Sequence, residues 1–329
     1  MKFSILIPNY GYSLCIFDCL KSVVSQITND LFDYEIIMCD QSKNDDFVKI
    51  KEKIDNDYLN KVVLIHSDVK GLFRARHTLI QNATGEFVVF VDSDDIVEND
   101  YLLSLYKIIQ KEKNPDIIVT SFCSCDNECE PLKHQLKYPD DINEHVMDYF
   151  LCTNLLNSVC FKPFRKRLYD FGDYNGFDFE VTNGEDFAFT YPLMLKAKKI
   201  VAHFEIKKYL YRFTSDSMVH KLSFDLCLKS LSSRLNYLTG TTLTPFQKSI
   251  MLSDRTVYLS SSMQIMLKRK TINRVQFNAL IDCYLNIVKA YNLNDLSKLT
   301  KKQKIIYKLA IDNKTLLLWL MFYFIAMFR

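Results

Sequence analysis

The chain has 329 residues, 48% of them hydrophobic and 25% charged, enough to bury one large core or two moderate ones and too apolar to stay disordered. Its 42 Lys and Arg nearly balance 39 Asp and Glu, and the resulting net charge of +3 excludes the strong basic excess of a nucleic-acid binder. Ten cysteines accompany an opening, "MKFSILIPNY", without a signal peptide's apolar stretch or cleavage site, so the thiols are expected to be reduced.

In chain order, "FSILIP", "YEIIMC", "VVLIHS", "EFVVFVD" and "DIIVTSF" read as strands. Helical patterns separate them: Phe17, Leu20, Val24 and Ile27 at helical spacing, then "DFVKIKEKIDNDYL" and "LFRARHTLIQNAT". Strands that alternate with helices in this way predict an α/β fold with a mostly parallel sheet. Ligands of such sheets collect beyond the carboxyl ends of the strands. Three of those ends carry polar residues that should share one crevice: Pro8-Asn9-Tyr10, Asp40-Gln41-Ser42 and Asp92-Ser93-Asp94.

From about 123 to 180 the periodicity fades into aromatic and polar turns, the pattern of an elaborated loop region suited to binding an acceptor. Cys123, Cys125, Cys129 and His134 lie within it, at a spacing unlike the paired C-x2-C pattern of zinc sites. After 220 the chain reads as helical, through "FDLCLKSLSSRLNYL", "PFQKSIMLSDRTVYLSSSMQIMLKRK" and "RVQFNALIDCYLNIVKAY". The stretch 315–328, uncharged after the lysine-rich "KLTKKQKIIYKLAIDNK", would span about 20 Å as a helix, short of the roughly 30 Å hydrocarbon core. It is expected to lie in a membrane interface, with lysines toward anionic headgroups; the alternative is a helix buried against the body or in a homo-oligomer.

Five acids within nine residues follow the apolar run Phe87 to Val91. Asp92 and Asp94, at i and i+2 past a strand end, can converge on one point, and hard divalent cations such as Mg²⁺ or Mn²⁺ favour such oxygen ligands. Asp94 or Asp95 can instead cap the next helix. A calcium loop is excluded, because Val97 stands where that loop needs glycine. Farther on, Glu185-Asp186 opens "FAFTYPLMLKA" and suits either a general base or the first turn of a helix. His220, after a polar loop, is a candidate third metal ligand or a packing residue.

Taken in order, "IPNYGYSLCIFDCLKSVVSQ", "YEIIMCDQSKNDD", "KGLFRARHTLIQNATGEFVVFVDSDD", "NGEDFAFTYPLM" and "YLYRFTSDSMVH" resemble the family 2 glycosyltransferases of GT-A fold, of the bacterial cell-surface polysaccharide type. The resemblance covers roughly residues 1–220. It implies a nucleotide-sugar half at about 1–122 and an acceptor-side half at 123–220, and the helical pattern beyond it reads as a separate region at 221–329. It further implies that Pro8 and the turn at Tyr10 line a nucleotide pocket, that Asp40 holds the base, that Arg76 and Arg212 approach the diphosphate, and that Asp92-Ser93-Asp94 is the family's D-x-D. Asp186, with Glu185 beside it, matches the family's catalytic acid pair, and Asp94, Asp92 and His220 would hold the metal. Two departures stand out: Cys39-Asp40-Gln41-Ser42 lacks one acid of the usual pair, and His77 replaces an Asn. The implied reaction is inverting transfer from a nucleotide-diphosphate sugar, UDP-linked by expectation, to a hydroxyl of a glycan or lipid-linked glycan at the inner face of the plasma membrane. Two other readings stay open: a non-catalytic scaffold subunit of this fold and a D-x-D phosphatase.

Overall fold

A computed structural model describes residues 1–58, 60–133, 135–175, 184–213, 222–232 and 235–327. The chain forms two compact units, Met1–Pro139 with Ser158–Thr214 and Asp140–Asn157 with Ser215–Arg329. The first unit runs β1 (Lys2–Asn9), α1 (Cys15–Val24), β2 (Asp33–Asp40), α2 (Asn44–Asp57), β3 (Val62–His66), α3 (Leu72–Asn82) and β4 (Phe87–Phe90). It continues with β5 (Ile96–Val97), α4 (Tyr101–Lys111), β6 (Ile117–Thr120) and β7 (Cys123–Cys125). After α5 (Val146–Cys152), which belongs to the second unit, it resumes with β8 (Phe164–Arg165), α6 (Glu185–Lys196), β9 (Ile200–His203) and β10 (Tyr209–Arg212).

The main sheet has the order β3-β2-β1-β4-β8-β6-β9. The pairs among β1 to β4 are parallel, as is β6 with β9, and the buried runs of β1 and β4 match strands covered on both faces. All five predicted strands form. The departure is β8, a two-residue strand inserted antiparallel between β4 and β6. Nothing so short leaves a periodic signal. A smaller sheet, β5-β10-β7, was likewise not foreseen. On α1 the predicted stripe is one residue out of phase: Ile16, Cys19, Leu20 and Val23 are buried, and Ile27 lies beyond the helix end, exposed. Cys19 acts as a small hydrophobe here, whereas Phe17 stands at the margin against the ring of Tyr12.

At the amino ends of the strands one carboxylate ties three segments together. Glu35 accepts hydrogen bonds from Lys2 Nζ (2.7 Å), Ser4 Oγ (2.5 Å), Thr84 N (2.6 Å), Thr84 Oγ1 (2.7 Å) and Gly85 N (3.2 Å). Burial alone would raise its pKa, but the bonds from Lys2, Ser4 and Thr84 outweigh that and bring it down to about 2. Residue 85 must be glycine, since a Cβ there would sit 2.6 Å from Ser4 N and 2.7 Å from the Phe3 carbonyl carbon.

The second unit is helical, as the sequence predicts: α7 (Phe224–Ser232), α8 (Leu235–Leu238), α9 (Pro245–Lys268), α10 (Arg274–Ala290), α11 (Lys301–Ile311) and α12 (Thr315–Met327). Three of these starts use one device, a capping box in which Thr244, Asn273 or Thr300 exchanges hydrogen bonds with Gln247, Gln276 or Gln303. Met251 and Met263 of α9 and Phe277, Leu280 and Tyr284 of α10 are fully buried in the unit's core, and the hydroxyls of Thr256 and Tyr284 join the two helices at 2.8 Å. Among the described residues no helix is long and apolar enough to cross a membrane.

Candidate active site

Parallel register brings the first two polar strand ends together. Asn9 pairs with Asp40 at the last position of β1 and β2, so their side chains meet. Asn9 Nδ2 donates to Asp40 Oδ1 at 2.6 Å and Ser42 Oγ to the same oxygen at 2.5 Å, while Ser42 Oγ also accepts from Gly11 N at 2.8 Å. Asp40 is fully buried, and among the described residues its Oδ2 has no hydrogen-bond partner. An acid so placed can accept one N–H from a ligand lying over the strand ends. Pro8 is buried inside β1, one residue before Asn9, whereas Tyr10 is 60% exposed and takes a hydrogen bond from Lys70 Nζ at 3.1 Å. Gln41, where the family pattern has an acid, is a latch: its amide donates to Val69 O at 2.5 Å and its oxygen accepts from Gly71 N at 3.0 Å, holding the loop that starts α3.

The third strand end carries the D-x-D turn. Val91 N bonds to Leu6 O, extending the β1–β4 register so that Asp92 stands level with Pro8. Burial pushes the Asp92 carboxyl up to about 6, against the pull of Arg76 and with the push of Asp186 and Asp94; a hydrogen bond from Cys160 steadies its charged form. Ser93 is half-buried and Asp94 exposed, yet the protein crowded around Asp94 still raises its pKa, opposed by Arg212. Asp95 proves to be a brace rather than a cap. It is 1% exposed and accepts from Tyr209 Oη at 2.7 Å and from Arg212 N at 2.8 Å, pinning β10 beneath the turn. The next helix, α4, has Asp100 at its N-cap position, its side chain turned to Lys208 rather than to the helix backbone, so neither Asp94 nor Asp95 caps it. The guanidinium of Arg212 is buried and reaches Asp18 Oδ2 at 3.1 Å and Cys129 Sγ at 3.2 Å, on the α1 side of the turn.

Arg76 joins the D-x-D turn to the acid pair. It projects from α3, 1% exposed, with Phe90 and Phe189 rings each 5.8 Å away. Its Nη2 lies 2.6 Å from Asp186 Oδ1, an ion pair whose N–H direction falls short of a hydrogen bond, and among the described residues Nε and Nη1 find no acceptor. Burial opposes its charge, but Asp186 and Asp92 more than restore it, so the guanidinium is held more firmly protonated than usual. Glu185 and Asp186 open α6 behind Gly184, whose φ of 84° suits glycine. Glu185 is buried, and burial followed by the charge of Asp186 pushes its carboxyl up to about 7. Asp186 keeps 26% of its side chain exposed, so a substrate hydroxyl can reach it. His77, one position beyond Arg76, turns away to Tyr169 Oη at 2.8 Å and stacks on Phe171.

Asp92, Asp94, Arg76, Glu185 and Asp186 thus act on one another electrostatically, while Asp40 and Arg212 occupy the flanks. Two carboxylates at one turn, both raised by burial and one by the charge of the other, form a donor set that a hard divalent cation would relieve, so Asp92 and Asp94 fit such an ion. His220 lies outside the described residues, as does His134 of the cysteine cluster, and among the described residues no group of three His, Cys, Asp or Glu side chains converges for a metal. Sequence reasoning missed Asn9 as the partner of Asp40, Gln41 as a latch, and Cys160 and Tyr209 as supports of the turn. Asn9 alone had a signal, its place beside Pro8 at a strand end.

The family model for Glycosyl transferase family 2 matches residues 4–172. The chain is 28% identical over 225 residues to Glycosyltransferase GlyA of Streptococcus pneumoniae, an alignment that covers 66% of this chain and 31% of GlyA; the chain therefore spans about a third of that relative's length. Among solved structures it resembles S. aureus TarS 1-349 in complex with UDP-GlcNAc, with a TM-score of 0.55 and 18% identity over 88% of this chain and 89% of that one. It also resembles the mannosyltransferase PcManGT of Pyrobaculum calidifontis in complex with GDP-Man and Mn2+, with a TM-score of 0.53 and 14% identity over 95% and 86% of the two chains. At such identities these likenesses show the fold.

Proposed function

Because this chain belongs to glycosyl transferase family 2, we propose that it transfers a sugar, with inversion, from a nucleotide-diphosphate donor to a hydroxyl of a glycan or lipid-linked glycan acceptor. One observation carries the reading: around the buried guanidinium of Arg76, acids from the D-x-D turn and from the start of α6 come close enough to shift one another. A fold has little reason to bury like charges together unless a ligand offsets them. The base rests over the strand ends, where the free Oδ2 of Asp40 accepts one of its N–H groups, UDP being the nucleotide we expect. Asp92 and Asp94 would hold a Mg²⁺ or Mn²⁺ ion, which when bound offsets charge on the departing diphosphate. Asp186, open to solvent and oriented by Arg76, accepts the proton of the attacking hydroxyl.

The near-neutral pKa of Glu185 favours it as a second candidate for the base. The two are separated by substitution. Asp186→Asn should lower turnover about a thousandfold with donor affinity nearly unchanged, since a base acts on the transition state and not on donor binding. Glu185→Gln should keep most of the activity. Unchanged turnover in Asp186→Asn, with the loss in Glu185→Gln instead, would transfer the role to Glu185. Absence of donor hydrolysis or transfer by the intact protein across a panel of nucleotide sugars with Mn²⁺ would leave the scaffold reading.

A further inference from the structure

The last described helix, α12, has two unlike faces. Leu318 and Phe322 are fully buried, and Trp319 and Phe322 meet the ring of Phe277 on α10 with centroids 5.0 Å and 6.2 Å away. The opposite face exposes Leu316 (55%), Leu317 (52%), Leu320 (40%), Tyr323 (45%) and Phe324 (56%). These positions recur at i, i+1, i+4, i+7 and i+8, one stripe along the helix. A stripe of five large apolar side chains, with no acid or base among them, is more than the scattered exposure a soluble surface shows. The preceding helix supplies charge of one sign: Lys301, Lys302, Lys304 and Lys308 are exposed on it with no acid among them, and Ile305 and Ile311 stand exposed between and after them, while in the turn that follows Lys314 pairs with Asp312 at 3.6 Å.

We propose that this stripe and the lysines of α11 dock the protein flat onto an anionic lipid bilayer. The combination decides between occupants. A second protein copy would bury the apolar stripe equally well, but interface cores deplete lysine, whereas a headgroup layer accepts lysine ammonium groups while acyl chains take Leu and Phe. The 13 described residues of α12 run about 20 Å, long enough to lie along the headgroup boundary. Aromatic Tyr323 suits that boundary, with its ring in the apolar layer and its hydroxyl outside it.

The test is co-sedimentation of the full chain with vesicles of phosphatidylcholine alone or mixed with about one-third phosphatidylglycerol. Binding should be at least about tenfold tighter on the mixed vesicles and should weaken as salt rises. Combined Leu317→Gln, Leu320→Gln and Phe324→Gln should lower it at least about tenfold, and combined Lys301→Gln, Lys304→Gln and Lys308→Gln should abolish the preference for anionic vesicles. Circular dichroism melting of both variants should match the parent, since every altered side chain is exposed. No binding to mixed vesicles, or binding that ignores these substitutions, overturns the proposal. So does a concentration-dependent dimer in sedimentation velocity that the Gln variants dissociate while vesicles pellet no protein, because a second copy would then cover the stripe.

Discussion

At the amino ends of the main sheet, Glu35 accepts five hydrogen bonds and its pKa drops to about 2. At the carboxyl ends, Asp40 keeps a buried oxygen without a partner among the described residues, Asp92 rises to about 6 and Glu185 to about 7. The same residue types on the same scaffold are thus satisfied at one end and left wanting at the other. The difference teaches which acids the fold needs for itself and which it holds for something else: a satisfied carboxylate staples backbone, and an unsatisfied one costs stability until a ligand supplies what is missing.

Asp94→Asn should show the contrast most strongly. The exposed carboxylate belongs to the end that waits for a ligand, so its loss should lower transfer by about a thousandfold, roughly 4 kcal/mol of transition-state stabilisation. Thermal melting measured without donor or metal should stay equal or rise, because a raised carboxyl is replaced by a neutral amide. A variant that melts early would show that Asp94 is part of the frame, as Glu35 is, and the comparison would break there.

At the other end, Gly85→Ala should behave in the opposite manner. The new Cβ meets backbone atoms of Phe3 and Ser4 inside 3 Å, which only movement of β1 can relieve. We expect a loss of about 3 kcal/mol, read as an earlier urea midpoint, with activity per folded molecule preserved. Loss of turnover in protein that remains folded would mean that the two ends are coupled through β1.

How far the sequence discloses this follows from the range of the interactions. The strands of the parallel sheet are legible because each is a continuous apolar run bounded by polar residues, and the D-x-D stands out because acids follow one such run directly. Glu185-Asp186 is legible only in the company of the other motifs. β8 is invisible, because two residues carry no period and their pairing depends on a chain that leaves for the second unit and returns. Gln41, Asp95 and Cys160 are invisible in another way: their roles depend on Val69, Tyr209 and Asp92, partners fixed by tertiary packing rather than by spacing. Asp95 shows the hazard, since a residue that suits a helix cap locally is claimed by a strand more than a hundred positions away.

The finest test of the comparison is its dependence on pH, for the two ends carry opposite signs. Glu35 titrates at about 2 in the folded protein against an ordinary 4.5, so between those values the unfolded chain binds more protons than the native one. Its contribution is complete above about pH 4.5 and is lost as pH falls toward about 2. Glu185 titrates at about 7 against 4.5, so there the native state holds a proton that the unfolded chain has released, and its contribution, complete below about pH 4.5, is lost as pH rises through about 7. Urea unfolding across this range should therefore show Glu35→Gln flattening only the acid limb, by at most about 1 kcal/mol because Glu35 is partly open to solvent. Glu185→Gln should flatten only the decline between pH 4.5 and 7. If both substitutions altered the same limb, the acids at the two ends would be doing one job, and the division between frame and site would have to be drawn elsewhere.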